Sequence, residues 1–75
     1  MDVGSAERTV AAARSGNAAY YAPYELYFAE TYLAKAREEA AEGAYEDALH
    51  LVEIANAYGK RALERSGSRV SDSER

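Results

Sequence analysis

The chain has 75 residues, and alanine supplies 17 of the 36 residues of hydrophobic type, with tyrosine supplying another 7. A chain this short buries only about 60% of its unfolded surface, which excludes a self-contained enzyme with a deep cleft and favours a small unit stabilised by assembly. Its net charge of −4 opposes phosphate neutralisation, and its lack of cysteine removes disulfides, thiolate nucleophiles and thiolate zinc sites.

The strong helix formers Ala, Glu, Leu, Lys and Arg dominate nearly the whole length, so the expected fold class is all-α. A first helix is expected over residues 3–15, because Gly16 and Asn17 tolerate the left-handed conformation past a helix end. Arg14 in its last turn suits the helix dipole. Residues 17–22 read as a connector, since Pro23 fits best as the first residue of a second helix. That helix is expected over 23–42, with Glu25 in its first turn, and Gly43 punctuates it. A third helix over 44–65 has Glu46 and Asp47 near its start and Lys60, Arg61 and Arg65 near its end. Residues 1–66 therefore form one helical domain, and the small, polar stretch 67–75 reads as a disordered tail or linker.

An alanine recurs every seven residues on each helix: Ala6 and Ala13, then Ala22, Ala29 and Ala36, then Ala48, Ala55 and Ala62. Leu26, Leu33 and Ala40 interleave with the second set in 3-4 spacing, as in a coiled-coil seam. Leu51, Val52, Tyr58 and Gly59 lie beside the third set. Small residues at these positions let helices approach closely, and a short loop at Gly43 makes the long pair an antiparallel hairpin. The expected architecture is a short N-terminal helix on that hairpin, resembling a tetratricopeptide unit or three-helix bundle, and completed by oligomerisation.

Tyr27, Ala34 and Ala41 form another seven-residue series on the opposite side of the second helix. A helix apolar on two faces needs two partners. The first helix is short, so a second copy is favoured for this face, with Tyr24, Tyr27, Ala34 and Ala41 as candidate interface residues. Tyr20, Tyr21, Tyr24, Tyr27, Phe28 and Tyr32 crowd six aromatics into thirteen residues. Phe28 and Tyr32 are expected to pack, while the others cover the connector or form an interface; a carbohydrate platform is a third reading.

Asp47-x-x-His50, with Glu30 as a further carboxylate, resembles the acid-x-x-His arrangement of di-iron bundles and makes these three the candidate metal ligands. In helical projection, however, Asp47 and His50 face away from Ala48, Ala55 and Leu51, so the expected role is a solvated face. Glu38, Glu39, Glu42, Glu46, Asp47 and Glu53 form an acidic run with no lysine or arginine between Glu38 and Gly59, expected at the hairpin tip. One histidine, no cysteine and no glycine-rich phosphate loop leave no catalytic constellation and no cofactor to expect.

Tyr32, Ala36, Gly43, Tyr45, Ala48, Val52 and Ala55 match the small and aromatic positions of one tetratricopeptide repeat, while Lys35, Glu39 and Lys60 break its pattern. The series Ala22-Pro23-x-Glu25-Leu26-x-x-Ala29-x-x-x-Leu33-x-x-Ala36, followed by Gly43-x-Tyr45-x-x-Ala48, Ala55 and Ala62, resembles an uncharacterised helical domain family of bacterial envelope proteins. Its members are often lipoproteins or precede an OmpA-like peptidoglycan-binding domain, and the likeness spans Ala6 to Arg65. That resemblance implies a periplasmic, outer-membrane-associated location and a scaffolding role. The start at Met1-Asp2-Val3-Gly4 is compatible with removal of a targeting segment, and no stretch reaches the ~18 apolar residues of a membrane span. The leading expectation is a non-enzymatic interaction module whose partner is a second copy or another helical protein, not nucleic acid. It would meet a membrane only through a lost anchor and peptidoglycan only through a missing domain. The alternatives are a ferritin-like metal-binding mini-bundle and a cytoplasmic repeat-like adaptor.

Overall fold

A computed structural model of the chain describes the backbone of residues 2–74 and side chains as far as Gly67. Its elements are helices: α1 (Val3–Ser15), α2 (Ala18–Tyr21), α3 (Pro23–Ala41) and α4 (Tyr45–Glu74). Among the described residues there is no strand.

Local chemistry sets most of the boundaries. The Asp2 carboxylate accepts from the Ser5 amide at 2.8 Å, an N-cap that fixes the start of α1. Its end falls where expected, but Asn17 rather than Gly16 takes the left-handed conformation, with φ 64°. Asn17 then starts α2, one turn of helix inside the expected connector. Pro23 opens α3, where its missing N–H costs nothing. The α3 end is a Schellman turn: Gly43 has φ +85°, its amide bonds Ala40, and the Ala44 amide bonds Glu39.

The long helices α3 and α4 pack antiparallel, since Glu25 meets Arg65 at one end and Phe28 and Tyr32 meet Tyr58 in the middle. Helix α1 lies parallel to α4, with Ser5 beside Asn56, Thr9 on Gly59 and Gly16 beside Ser66. It therefore runs antiparallel to α3, which it reaches through the Arg14–Glu30 and Arg37–Glu7 ion pairs.

Every alanine of the seven-residue series is buried, together with Ala18, Val10, Leu26, Leu33 and Val52. Nine of these thirteen buried apolar residues are alanine, so the core consists of close backbone contacts rather than interlocked large side chains. The tightest is at Gly59, where an added Cβ would stand 2.7 Å from Thr9 Cγ2. A side chain there would have to displace Thr9, which makes Gly59 a point of close approach between α1 and α4.

The expected stop after Arg65 is not where the helix ends. Helix α4 continues as backbone to Glu74, a length of about 45 Å at 1.5 Å per residue in a molecule 48 Å long. Ser66 accounts for the continuation. It is buried beneath the α1–α2 corner, and its hydroxyl donates to the Ala62 carbonyl at 2.8 Å, so the chain passes the corner in helical form. The side chains of residues 68–75 lie outside the described residues.

Candidate functional site

The two flanks of the hairpin differ. One is covered by α1. The other carries Phe28 and Tyr32 of α3 and Leu51, Ile54 and Tyr58 of α4, all exposed or half-buried. Tyr32 and Tyr58 stack in parallel with centroids 6.0 Å apart, Phe28 meets Tyr58 at 5.2 Å, and Tyr27 meets Phe28 edge-on at 5.7 Å. The Arg61 guanidinium lies 5.2 Å above the Tyr58 ring, an attraction to the face of the aromatic quadrupole. The helical period explains the row. Leu51, Ile54, Tyr58, Arg61 and Arg65 follow 3-4 spacing on α4, and Phe28, Tyr32, Lys35 and Glu39 follow it on α3.

Charge divides this flank lengthwise. At the tip, Lys35 bridges Glu38 at 3.5 Å and Glu39 at 3.7 Å. Asp47, one turn before Leu51 on the same stripe, has no cationic partner among the described residues. At the far end Arg65 binds Glu25, and Arg61 makes no ion pair among the described residues. The hydrogen bond from Arg65 holds the Glu25 carboxyl below its ordinary range, against the partial burial that would raise it. The Glu25 backbone N–H and the charges of Arg65 and Arg61 add to the lowering.

The proposed metal ligands are not brought together. Glu30 faces α1 and accepts from Arg14 at 2.7 Å. Asp47 and His50 are exposed near the tip, where with Glu39 and Leu51 they line a surface concavity of about 320 Å³, so they border the face of Leu51 instead of pointing away from it, since residues four apart share a helix face. Since residues 28 and 32 lie level with Tyr58, His50 is eight residues, or about 12 Å, along α4 from the level of Glu30. No group of three or more metal-ligating side chains occurs among the described residues. The separation has a simple cause: Glu30 belongs to the α1 flank of α3 and Asp47 and His50 to the opposite flank and tip.

Tyr24, Tyr27, Ala34 and Ala41 are all exposed on the outer face of α3. Helix α1 leaves that face open because it docks on the α4 side. At the connector Tyr20 and Tyr24 are 81% and 74% exposed, while Tyr21 is half-buried. Another concavity, lined by Asp2, Val3, Ala40, Tyr45, Ala48, Leu49 and Val52, lies between the start of α1 and the hairpin tip.

Three features escape a reading of the sequence. The Glu25–Arg65 pair spans 40 residues, and no local spacing signals it. Asn56 is buried on the α1 side, donating to Ser5 Oγ at 3.5 Å while its Oδ1 has no partner. Tyr58 belongs to the open flank as much as to the alanine core, and the 3-4 series around it was the available signal.

These features define the class of protein as an all-α domain, a helical hairpin buttressed by a short N-terminal helix. The chain belongs to the family described as a domain of unknown function (DUF4398), whose family model matches residues 2–75. No curated protein and no solved structure matches it. No described helix is long and apolar enough to cross a membrane.

Proposed function

We propose that this domain is a non-enzymatic helical interaction module that associates with itself or with another helical protein. The observation that carries this reading is where side-chain size falls. The largest fully buried side chains are Val10, Val52 and Ser66, while Tyr20, Tyr24, Tyr27 and Tyr45 stand 64–81% exposed and Phe28 and Leu49 are exposed with them. Tyrosine and phenylalanine are the residues that dominate interface cores, and contiguous exposed apolar surface marks interaction sites. A domain that fills its interior with alanine and keeps its rings outside has spent its large apolar groups on contacts with other molecules.

The resemblance to domains of bacterial envelope proteins supports a scaffolding role at the cell envelope, with any anchor or cell-wall-binding part lying outside these residues. Tyr24, Tyr27, Ala34 and Ala41 offer one docking face and the Phe28–Tyr58 flank another. Static light scattering of the purified chain at high micromolar concentration tests self-association. The reading expects at least twice the 8.2 kDa chain mass, and a monomer mass there, with no helical partner recovered from envelope extracts, would refute it.

A further inference from the structure

The open flank is built to meet a copy of itself. On α4 the residues Asp47, Leu51, Ile54, Tyr58, Arg61 and Arg65 recur at intervals of four and three, the spacing that keeps one stripe facing a partner helix. Helix α1 cannot cover this stripe, since it docks through Asn56 and Gly59 on the other flank. Within the protomer Arg61 lies over the Tyr58 ring, and Phe28 stays 40% exposed.

The charges on the stripe are self-complementary about one point. Ile54 lies seven residues from Asp47 and seven from Arg61, so reversing the helix about Ile54 exchanges an acid for a base. The same operation lays Leu51 near Tyr58, and on α3 it brings Lys35 over Tyr32. Asp47 and Arg61 have no opposite-charge partner among the described residues, so each is available to a second molecule. The alternative of two parallel copies would bring Glu38, Glu39, Glu42, Glu46 and Asp47 of both chains to one end. Like charges so juxtaposed are disfavoured and suppress that arrangement.

We infer that this flank is a homodimer contact, in which a second copy packs antiparallel across the hairpin, α4 against α4, about a twofold axis near Ile54. Such a contact is isologous: each copy gives the partner the same aromatic centre, one acidic end and one basic end. It buries Phe28, Tyr32, Ile54 and Tyr58, and leaves the outer α3 face of Tyr27, Ala34 and Ala41 outside the dimer. The inference rests on the self-association reading but commits to one face and one direction.

The chain has no cysteine of its own, which makes disulfide mapping direct. Ile54→Cys should form an interchain disulfide under mild oxidation, and Ala34→Cys should not. The double variant Asp47→Cys with Arg61→Cys should also cross-link between chains. Its two sites lie fourteen residues apart on one helix, about 21 Å, far beyond the reach of an intrachain disulfide. Circular dichroism confirms that each variant stays helical, and light scattering is run on the unmodified chain alongside. A dimer mass with cross-linking at Ala34 and none at Ile54 or at the 47/61 pair overturns the inference and leaves self-association standing. A monomer mass, with no cross-link in any variant, overturns the inference and self-association together. Should Ile54→Cys lose its helicity, the 47/61 variant alone decides, because both its positions are exposed.

Discussion

The α1 flank and the open flank of the same hairpin are built on opposite rules. Where α1 meets α4, contact runs through Ser5, Thr9, Gly16, Gly59 and Ser66, and a single added carbon at Gly59 would collide with Thr9 at 2.7 Å. Across the open flank, contact runs through Phe28 and Tyr32, whose rings pack on Tyr58, and all three stay exposed or half-exposed, with Arg61 over the Tyr58 ring. The first is a finished interior, intolerant of added volume. The second is a surface whose large apolar groups are only partly covered. Small residues mark where this chain packs most closely on itself, and on the open flank the large rings stay partly exposed.

The sharpest way to break this contrast is to enlarge the small side. Gly59→Leu should push α1 off α4 and cost about 3 kcal/mol, the upper end for overpacking. In a domain this size that lowers the Tm by roughly 12–24 °C, measured by thermal circular dichroism. A loss below about 1 kcal/mol would mean that α1 is not held at this contact. Thr9→Ala should recover much of the smaller loss caused by Gly59→Ala, a coupling expected only of residues in contact.

Trimming the large side should do less to the protomer. Tyr58→Ala removes two ring contacts and the Arg61 stack, at about 1–2 kcal/mol of protomer stability, while abolishing association. Urea melts and light scattering of the same sample separate the two effects. If protomer stability fell as far as in Gly59→Leu, the open flank would be core rather than surface.

Acid should loosen the end where both flanks join. The folded Glu25 carboxyl lies below its ordinary value of 4.5, because Arg65 hydrogen-bonds its charged form. Its stabilisation is therefore present above that value and is lost as pH falls through the lower folded value. The pair is partly exposed, so the loss is about 1 kcal/mol or less. Glu25→Gln should flatten the dependence of the urea midpoint on pH below 5, and an unchanged slope would assign the acid sensitivity elsewhere. The smallest effect belongs to Arg14→Ala, which removes a solvent-exposed pair with Glu30 and should cost about 0.2–1 kcal/mol at low salt. In strong salt the difference from the unaltered chain should shrink, because exposed pairs are screened.

Much of this fold is legible in the sequence because its signals are local or periodic. The seven-residue alanines identify the buried face of each helix, Pro23 opens α3, and Gly43 closes it. What was not legible depends on what lies across space. Ser66-Gly67-Ser68 reads as a helix stop until Ser66 is seen buried beneath the corner at Gly16. Asp47 and His50 are legible as exposed from the helical projection, whereas the turn of Glu30 toward Arg14 is not. The aromatic flank lies between these cases. Its spacing is written in the sequence, but its rings and charges disguise a stripe that an apolar pattern would reveal.

The most direct test is a dilution series of amide NMR spectra on the unaltered chain. Self-association through the open flank predicts concentration-dependent shifts at Tyr32, Leu51, Ile54, Tyr58 and Arg61, with Tyr27, Ala34 and Ala41 unmoved. Shifts confined to Tyr27, Ala34 and Ala41, or spectra that do not change with concentration, would contradict it.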